Sequence, residues 1–237
     1  MTRRRWIADE VSGNRAVLLG SHAHHLAVVL RARIGQHFDI ATGEALRSGR
    51  ITFVSTDRVE FELGKELAAS GSSRISLFMA VFKFDRMEWA IEKCTELGVA
   101  RIVPVIARRT EAHLAKAAGA RVERWQRIAR QASEQARRAA PPAVEQPMKL
   151  KDAVVQESPT RVLLAESERS LLLKDALQAH APDDDLLLAL GPEGGWTDDE
   201  LAAFLQAGWT AASLGHTILR AETAAIAATA IATAELS

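Results

Sequence analysis

Gly191-Pro192-Glu193-Gly194-Gly195-Trp196-Thr197-Asp198-Asp199-Glu200 is the stretch whose reading decides the fold. The residues before it, Leu186 to Leu190, form an unbroken apolar run, the pattern of a buried strand. Thr197 followed three residues later by Glu200 is the signature of a capped helix start. Three glycines and a proline therefore fill a strand-to-helix crossover, where backbone can approach a ligand with no side chain in the way. In an open α/β sheet such crossovers lie at the carboxyl ends of the strands, the usual ligand crevice. A second turn answers from near the C-terminus, Leu214-Gly215-His216-Thr217-Ile218-Leu219-Arg220-Ala221-Glu222-Thr223. Read alone, the first turn fits a purely structural role equally well. It is not Gly-x-Gly-x-x-Gly, and no Gly-Lys-Ser/Thr follows, so neither a dinucleotide site nor a P-loop is indicated. Glu193 is compatible with capping a helix or with receiving a ligand proton.

Outward from that turn, strands and helices alternate. Strands are expected over residues 75–81, 102–106, 162–165, 186–190 and 209–214. Between them, a helix opens at Asp85 with Glu88 and closes at Gly98, and others span 121–138, 171–179, 201–207 and 221–236. Alternation of this kind implies a parallel sheet covered on both faces. Upstream, residues 16–19, 36–40, 50–54 and 58–63 read as short strands, with turns at 42–44 and at Ser48-Gly49 and one helix over 21–31. That pattern suggests a small barrel. The small polar run 68–73 is the best linker candidate.

Composition is ordinary for a globular chain of 237 residues, with 48% apolar and 25% charged residues. No apolar run approaches the roughly 20 residues that span a bilayer. The basic start Arg3-Arg4-Arg5 lacks the apolar stretch of a signal peptide, and the single cysteine, Cys94, suits a reducing cytoplasm. Net charge is zero, yet its distribution is uneven: residues 1–151 hold 26 Lys+Arg against 16 Asp+Glu, and residues 152–237 hold 4 against 14. Such segregation points to a basic face that meets phosphates. The helix over 121–138 is the strongest sign of it. Val122, Trp125, Ile128, Ala129, Ala132 and Ala136 make one apolar stripe, and arginines including Arg124, Arg127, Arg130, Arg137 and Arg138 surround the rest, with only Glu123 and Glu134 as acidic neighbours along the helix. His22, His24 and His25 lack a cysteine or carboxylate at ligand spacing, so a surface helix start is the simpler reading and no metal is expected. Cys94 reads as a buried apolar side chain.

Five blocks in order carry a family resemblance. They are His24-His25-Leu26 with Val29-Leu30-Arg31; Lys83 and Glu88 ahead of Glu92-Lys93-Cys94-Thr95-Glu96-Leu97-Gly98-Val99; Trp125 with Glu134-Gln135-Ala136-Arg137-Arg138 and Pro141; and the two glycine turns. Together they resemble the RsmE family of 16S ribosomal RNA methyltransferases, which methylate N3 of one uridine with S-adenosyl-L-methionine. The resemblance implies an α/β chain with a small PUA-like RNA-binding β-barrel over residues 1–70, followed over 75–237 by a SPOUT-type trefoil-knotted parallel sheet domain. It implies a cytoplasmic homodimer acting on 16S rRNA or the small ribosomal subunit, with no membrane partner and no metal. The cofactor pocket would comprise Leu164, Ala165, Leu190, Gly191, Gly194, Gly195, Leu214, Gly215, Ile218 and Leu219. Arg220, Glu222 and Arg138 are the candidate catalytic residues, with an arginine suited to stabilising a uridine anion and a carboxylate, Glu222 or Glu193, to taking the N3 proton. RNA contacts are expected from Arg4, Arg31, Arg124, Arg137 and Arg138. Thr217 stands where the family pattern has an arginine. Two other readings fit the residues: the same enzyme acting on another RNA such as tRNA, or a non-catalytic RNA-binding protein.

Overall fold

A computed structural model describes residues 5–43, 45–67, 74–178, 181 and 184–236 of the chain. Arg4, Glu44 of the expected turn, the linker run 68–73 and Ala179 lie outside the described residues. By internal contacts the chain forms two compact units, one of residues 1–72 with 133–141 and one of 73–132 with 142–237.

The first unit is built on strands β1 (Arg5–Ile7), β2 (Glu10–Ser12) and β3 (Arg15–Leu19), helix α1 (Gly20–His24) continued by a π-helical turn over His25–Val29, and strands β4 (His37–Ala41), β5 (Leu46–Val54) and β6 (Arg58–Leu67). They form one curled mixed sheet in the order β1-β4-β5-β6-β3-β2, in which β1 runs parallel to β4 and every other pair is antiparallel. Trp6, Leu18, Leu26, Ile40, Ile51 and Phe61 fill its concave side. Ser48-Gly49, expected as a turn, lies inside β5 instead. The reason is steric: Gly49 faces Ile40 of β4, and a Cβ at position 49 would collide with Ile40 Cγ1 and lie 3.3 Å from Phe61. The same place carries a register shift between β5 and β6, the bulge that helps the sheet curl.

The second unit begins with β7 (Ile75–Ala80), α2 (Phe84–Glu96), β8 (Arg101–Ile106) and the helices α3 (Ala112–Ala117) and α4 (Val122–Gln135). It continues through β9 (Ala143–Val144), β10 (Met148–Lys149), α5 (Leu150–Val154), β11 (Thr160–Leu164), α6 (Leu173–Ala176), β12 (Leu186–Leu190), α7 (Asp198–Gln206), β13 (Thr210–Ala212) and α8 (Ala221–Glu235). The sheet is wholly parallel, in the order β10-β8-β7-β12-β11-β13, with the short β9 also paired to β8. Its central strands read as unbroken apolar runs because both faces are covered. Ile75, Leu77, Met79, Leu186, Leu188 and Leu190 turn to one apolar layer with residues of α2, α4 and α8. Phe78, Ala80, Leu187 and Ala189 turn to the other, against Trp196, Phe204 and Trp209.

The helix expected to run from 121 to 138 stops at Gln135. Arg137 adopts φ 56°, its N–H bonds Glu134 O at 3.3 Å, and the Arg138 N–H bonds Ser133 O at 2.9 Å. These are the two hydrogen bonds of a Schellman stop, here with arginine where glycine is usual. Arg137 and Arg138 therefore leave the helix, and the segment Ser133–Pro141 belongs to the first unit. The expected helix over 171–179 shrinks to α6, and α3 and α5 carried too little periodicity to be read. Replacing Gly49 by Ala should destabilise the first unit by about 1–3 kcal/mol through overpacking against Ile40. Urea unfolding checks this, and an unchanged midpoint would show that β4 has room to yield.

Candidate active site

The two glycine turns meet because of strand order. β11 lies between β12 and β13, pairing Leu163 with Ala189 on one side and Leu164 with Ala212 on the other. Both turns therefore emerge at the same sheet end, flanking the end of β11. The Thr197 side chain accepts from Glu200 N while the Glu200 carboxylate accepts from Thr197 N at 2.8 Å, so the capping box read in the sequence starts α7. Its Glu200 is buried, and its other oxygen accepts from Arg108 N at 2.7 Å, which fastens the turn after β8 to the same helix. A buried carboxylate with this many donors is satisfied where an isolated one would be costly.

The first turn is tied down at three further points. Trp196, buried, donates from Nε1 to Leu164 O at 3.1 Å, which links the turn to the end of β11. Arg109 donates from Nη1 to Gly194 O and Trp196 O. Glu193 accepts from Lys83 N at 3.5 Å, at the N-terminus of α2, so of its two sequence readings the structure displays the capping one. Gly195 holds φ 68° and its N–H closes a bond to Pro192 O at 2.8 Å. In the second turn Ser213 Oγ accepts from Gly215 N at 3.1 Å, and Gly215 takes φ 121° with open space where a Cβ would stand.

Between the turns is a cavity of about 480 Å³, within the range of small-molecule sites. Leu164, Ala165, Leu190, Gly191, Gly194, Gly195, Leu214, Gly215, Ile218 and Leu219 all line it, as does Arg220. Ile218 is 81% exposed, an aliphatic side chain that lines the cavity. Of the other two catalytic candidates, neither is among the lining residues. Glu222 is buried in the first turn of α8, with Oε1 3.8 Å from Nε of Arg86. Arg138 lies in the segment assigned to the first unit, and burial pulls its guanidinium pKa down. Arg86 of α2, Arg109 of the turn after β8, and Glu166 and Arg169 of the connection between β11 and α6 also line the cavity and were missed in the sequence, because none belongs to a motif of its own.

The RNA candidates differ in what they already hold. Arg124 forms a two-pronged pair with Glu88 of α2, at 2.6 and 2.8 Å, which raises its pKa. The acidic partner absent along α4 is thus supplied by a neighbouring helix. Arg31 and Arg137 are exposed and are the two non-glycine residues with positive φ among those described, at 51° and 56°. His22 lies between Asp9, 3.2 Å from Nδ1, and Glu134, 3.4 Å from Nε2. Among the described residues no three His, Cys, Asp or Glu side chains gather where they could hold a metal ion, and no helix is long and apolar enough to cross a membrane.

Cys94 is fully buried, with Thr229 Oγ1 donating to its sulfur at 3.4 Å, and burial pushes its pKa up to about 12. At pH 8 the thiolate fraction is then roughly one part in ten thousand. Iodoacetamide should therefore label the chain only after denaturation; rapid labelling of the native protein would contradict the buried assignment.

The profile of the RNA methyltransferase domain family matches residues 69–233. The ribosomal RNA small subunit methyltransferase E of Mycobacterium tuberculosis is 32% identical over 231 residues, covering 92% of this chain and 85% of that protein. Its namesake from Synechocystis is 32% identical over 228 residues, covering 91% and 72%. Among solved structures, ribosomal RNA small subunit methyltransferase E from Neisseria gonorrhoeae, bound to S-adenosyl methionine, superposes with a TM-score of 0.82 at 28% identity, covering 97% of this chain and 96% of that one. A Legionella pneumophila protein in complex with bound SAM gives 0.84 at 27% identity, covering 99% and 98%.

Proposed function

The chain belongs to the RNA methyltransferase family, together with the ribosomal RNA small subunit methyltransferase E proteins, and on that premise we propose that it methylates N3 of one uridine in 16S rRNA with S-adenosyl-L-methionine. The observation that carries this reading is the convergence of both glycine turns on one cavity. The cavity fits the cofactor chemically: Leu164, Leu190, Leu214 and Ile218 offer apolar walls to an adenosyl group, and the glycine turns offer backbone donors and acceptors to its ring edge. When bound, the cofactor supplies a methyl group already activated by its sulfonium charge.

What remains for the chain is alignment and removal of the weakly acidic N3 proton. Arg220 lines the cavity and is the residue assigned to stabilise the uridine anion through its oxygens. Glu222, buried beside Arg86, is assigned to holding that arginine at the cavity wall rather than to taking the proton. The first unit is assigned to RNA, as the PUA-like half of a chain divided near residue 70, with Arg31, Arg137 and Arg138 as its contacts. Arg4 belongs to the same proposal from the sequence alone. Arg124 contributes there only if RNA displaces Glu88. The trefoil knot, a cytoplasmic location and a homodimer built on the small residues of α8 complete the proposal. On α8, Ala225, Ala228 and Ala232 are buried, while Thr223 and Ala234 remain exposed.

A strain lacking the gene should lose one N3-methyluridine from its 16S rRNA by mass analysis, and the purified chain with S-adenosylmethionine should restore it. An intact 16S rRNA with a missing tRNA methylation would move the substrate. No heat on titrating the cofactor would leave only an RNA-binding protein. A second test uses backbone strain. Arg137→Gly removes the penalty of a left-handed non-glycine residue and should stabilise the fold by up to about 1 kcal/mol while weakening rRNA binding. Undiminished RNA affinity would take Arg137 out of the interface.

A further inference from the structure

Arg109 lies 85 residues before the glycine turn in sequence, in the turn that follows β8. Its Nη1 donates to Gly194 O at 2.5 Å and to Trp196 O at 3.1 Å, the two carbonyls that flank Gly195. Its aliphatic stem lies over Gly194, where a Cβ would stand 3.2 Å from Arg109 Cδ and 3.6 Å from Arg109 Cβ. Gly194 is therefore bare on the side that this arginine covers, which is a different reason for glycine than ligand access. The turn carrying Arg109 is fastened on both sides of it. Arg108 N donates to Glu200 Oε1 at 2.7 Å, and Thr110 Oγ1 donates to Val81 O at 3.1 Å.

We propose that Arg109 is a positioning residue that holds the glycine turn in its ligand-accepting shape. It acts through Gly194 and Trp196 and makes no contact of its own with the methionine end of the cofactor. The inference rests on the cofactor reading above. A glycine-rich backbone has the widest choice of conformations, so a turn left to itself must be ordered when ligand arrives, and that ordering is subtracted from affinity. A guanidinium donating to both carbonyls around Gly195 restricts that freedom beforehand, with the strength of charge-assisted bonds. The neighbouring ties from Trp196 and Glu193 hold the turn's ends; Arg109 holds its middle.

Calorimetric titration with S-adenosylmethionine and with 5′-methylthioadenosine, which keeps the nucleoside and lacks the amino-acid end, separates the possibilities. Arg109→Met keeps the stem over Gly194 and removes the donors. It should weaken both ligands by the same factor, roughly ten- to a hundredfold, while the ligand-free protein keeps the native far-ultraviolet circular dichroism and a cooperative melt. Arg109→Lys restores a cationic donor and should recover most of the affinity for both ligands. Unchanged affinity in Arg109→Met, or a loss confined to S-adenosylmethionine, would overturn the inference, the second by revealing direct contact with the methionine end. Failure of the unaltered chain to bind either ligand would instead sink the cofactor reading and this inference with it.

Discussion

Everything at the candidate site depends on β11 being paired on both sides by parallel neighbours. Five residues, Thr160–Leu164, receive β12 along one edge and β13 along the other, although β12 and β13 follow it in the chain. Parallel pairing aligns the carboxyl ends of all three strands, so the turns that leave β12 and β13 have to rise side by side. No side chain in either turn is needed to bring them together. The backbone ladder does that, and the buried faces of Leu163, Leu188 and Ala212 keep the register from slipping.

Bringing two turns together is different from holding them in shape. Glycine-rich backbone is free to take many conformations, and here side chains from distant connections restrict it. Trp196 reaches β11, Arg109 arrives from the end of β8, and the N-terminus of α2 meets Glu193. Glu200 joins this set because a single buried carboxylate serves both the capping box of α7 and the Arg108 amide. The cavity wall is thus a set of cross-links between the ends of β7, β8, β11 and β12, and its rigidity comes from the sheet beneath.

Arginines fall into distinct physical classes that composition merges. Arg124 of α4 is engaged by Glu88, and Arg121, just before that helix, lies over the Phe84 ring at 4.7 Å, so these two charges are committed within the fold. Arg138 carries the mark of desolvation. Arg31 and Arg137 are exposed on left-handed backbone, a conformation that costs an arginine about 1–2 kcal/mol and that stability alone would assign to glycine. The contrast separates charges engaged within the fold from those left exposed on its surface.

By itself the sequence determined the alternation of strands and helices, the wholly buried β12, the capping box at Thr197 and the two glycine turns, since each is written in neighbouring residues through periodicity, capping or glycine chemistry. It also carried, in five ordered blocks, the likeness that pointed to the methyl donor. It misread Ser48-Gly49, because the need for glycine there comes from Ile40 on the next strand, and it ran α4 through Arg137, because no local signal announces a left-handed arginine. Only the tertiary structure decided that β11 separates β12 from β13, that Glu222 faces Arg86 outside the cavity lining, and that Arg109 covers Gly194. Those facts join residues tens of positions apart, and local propensity is blind to which distant side chain will share a space.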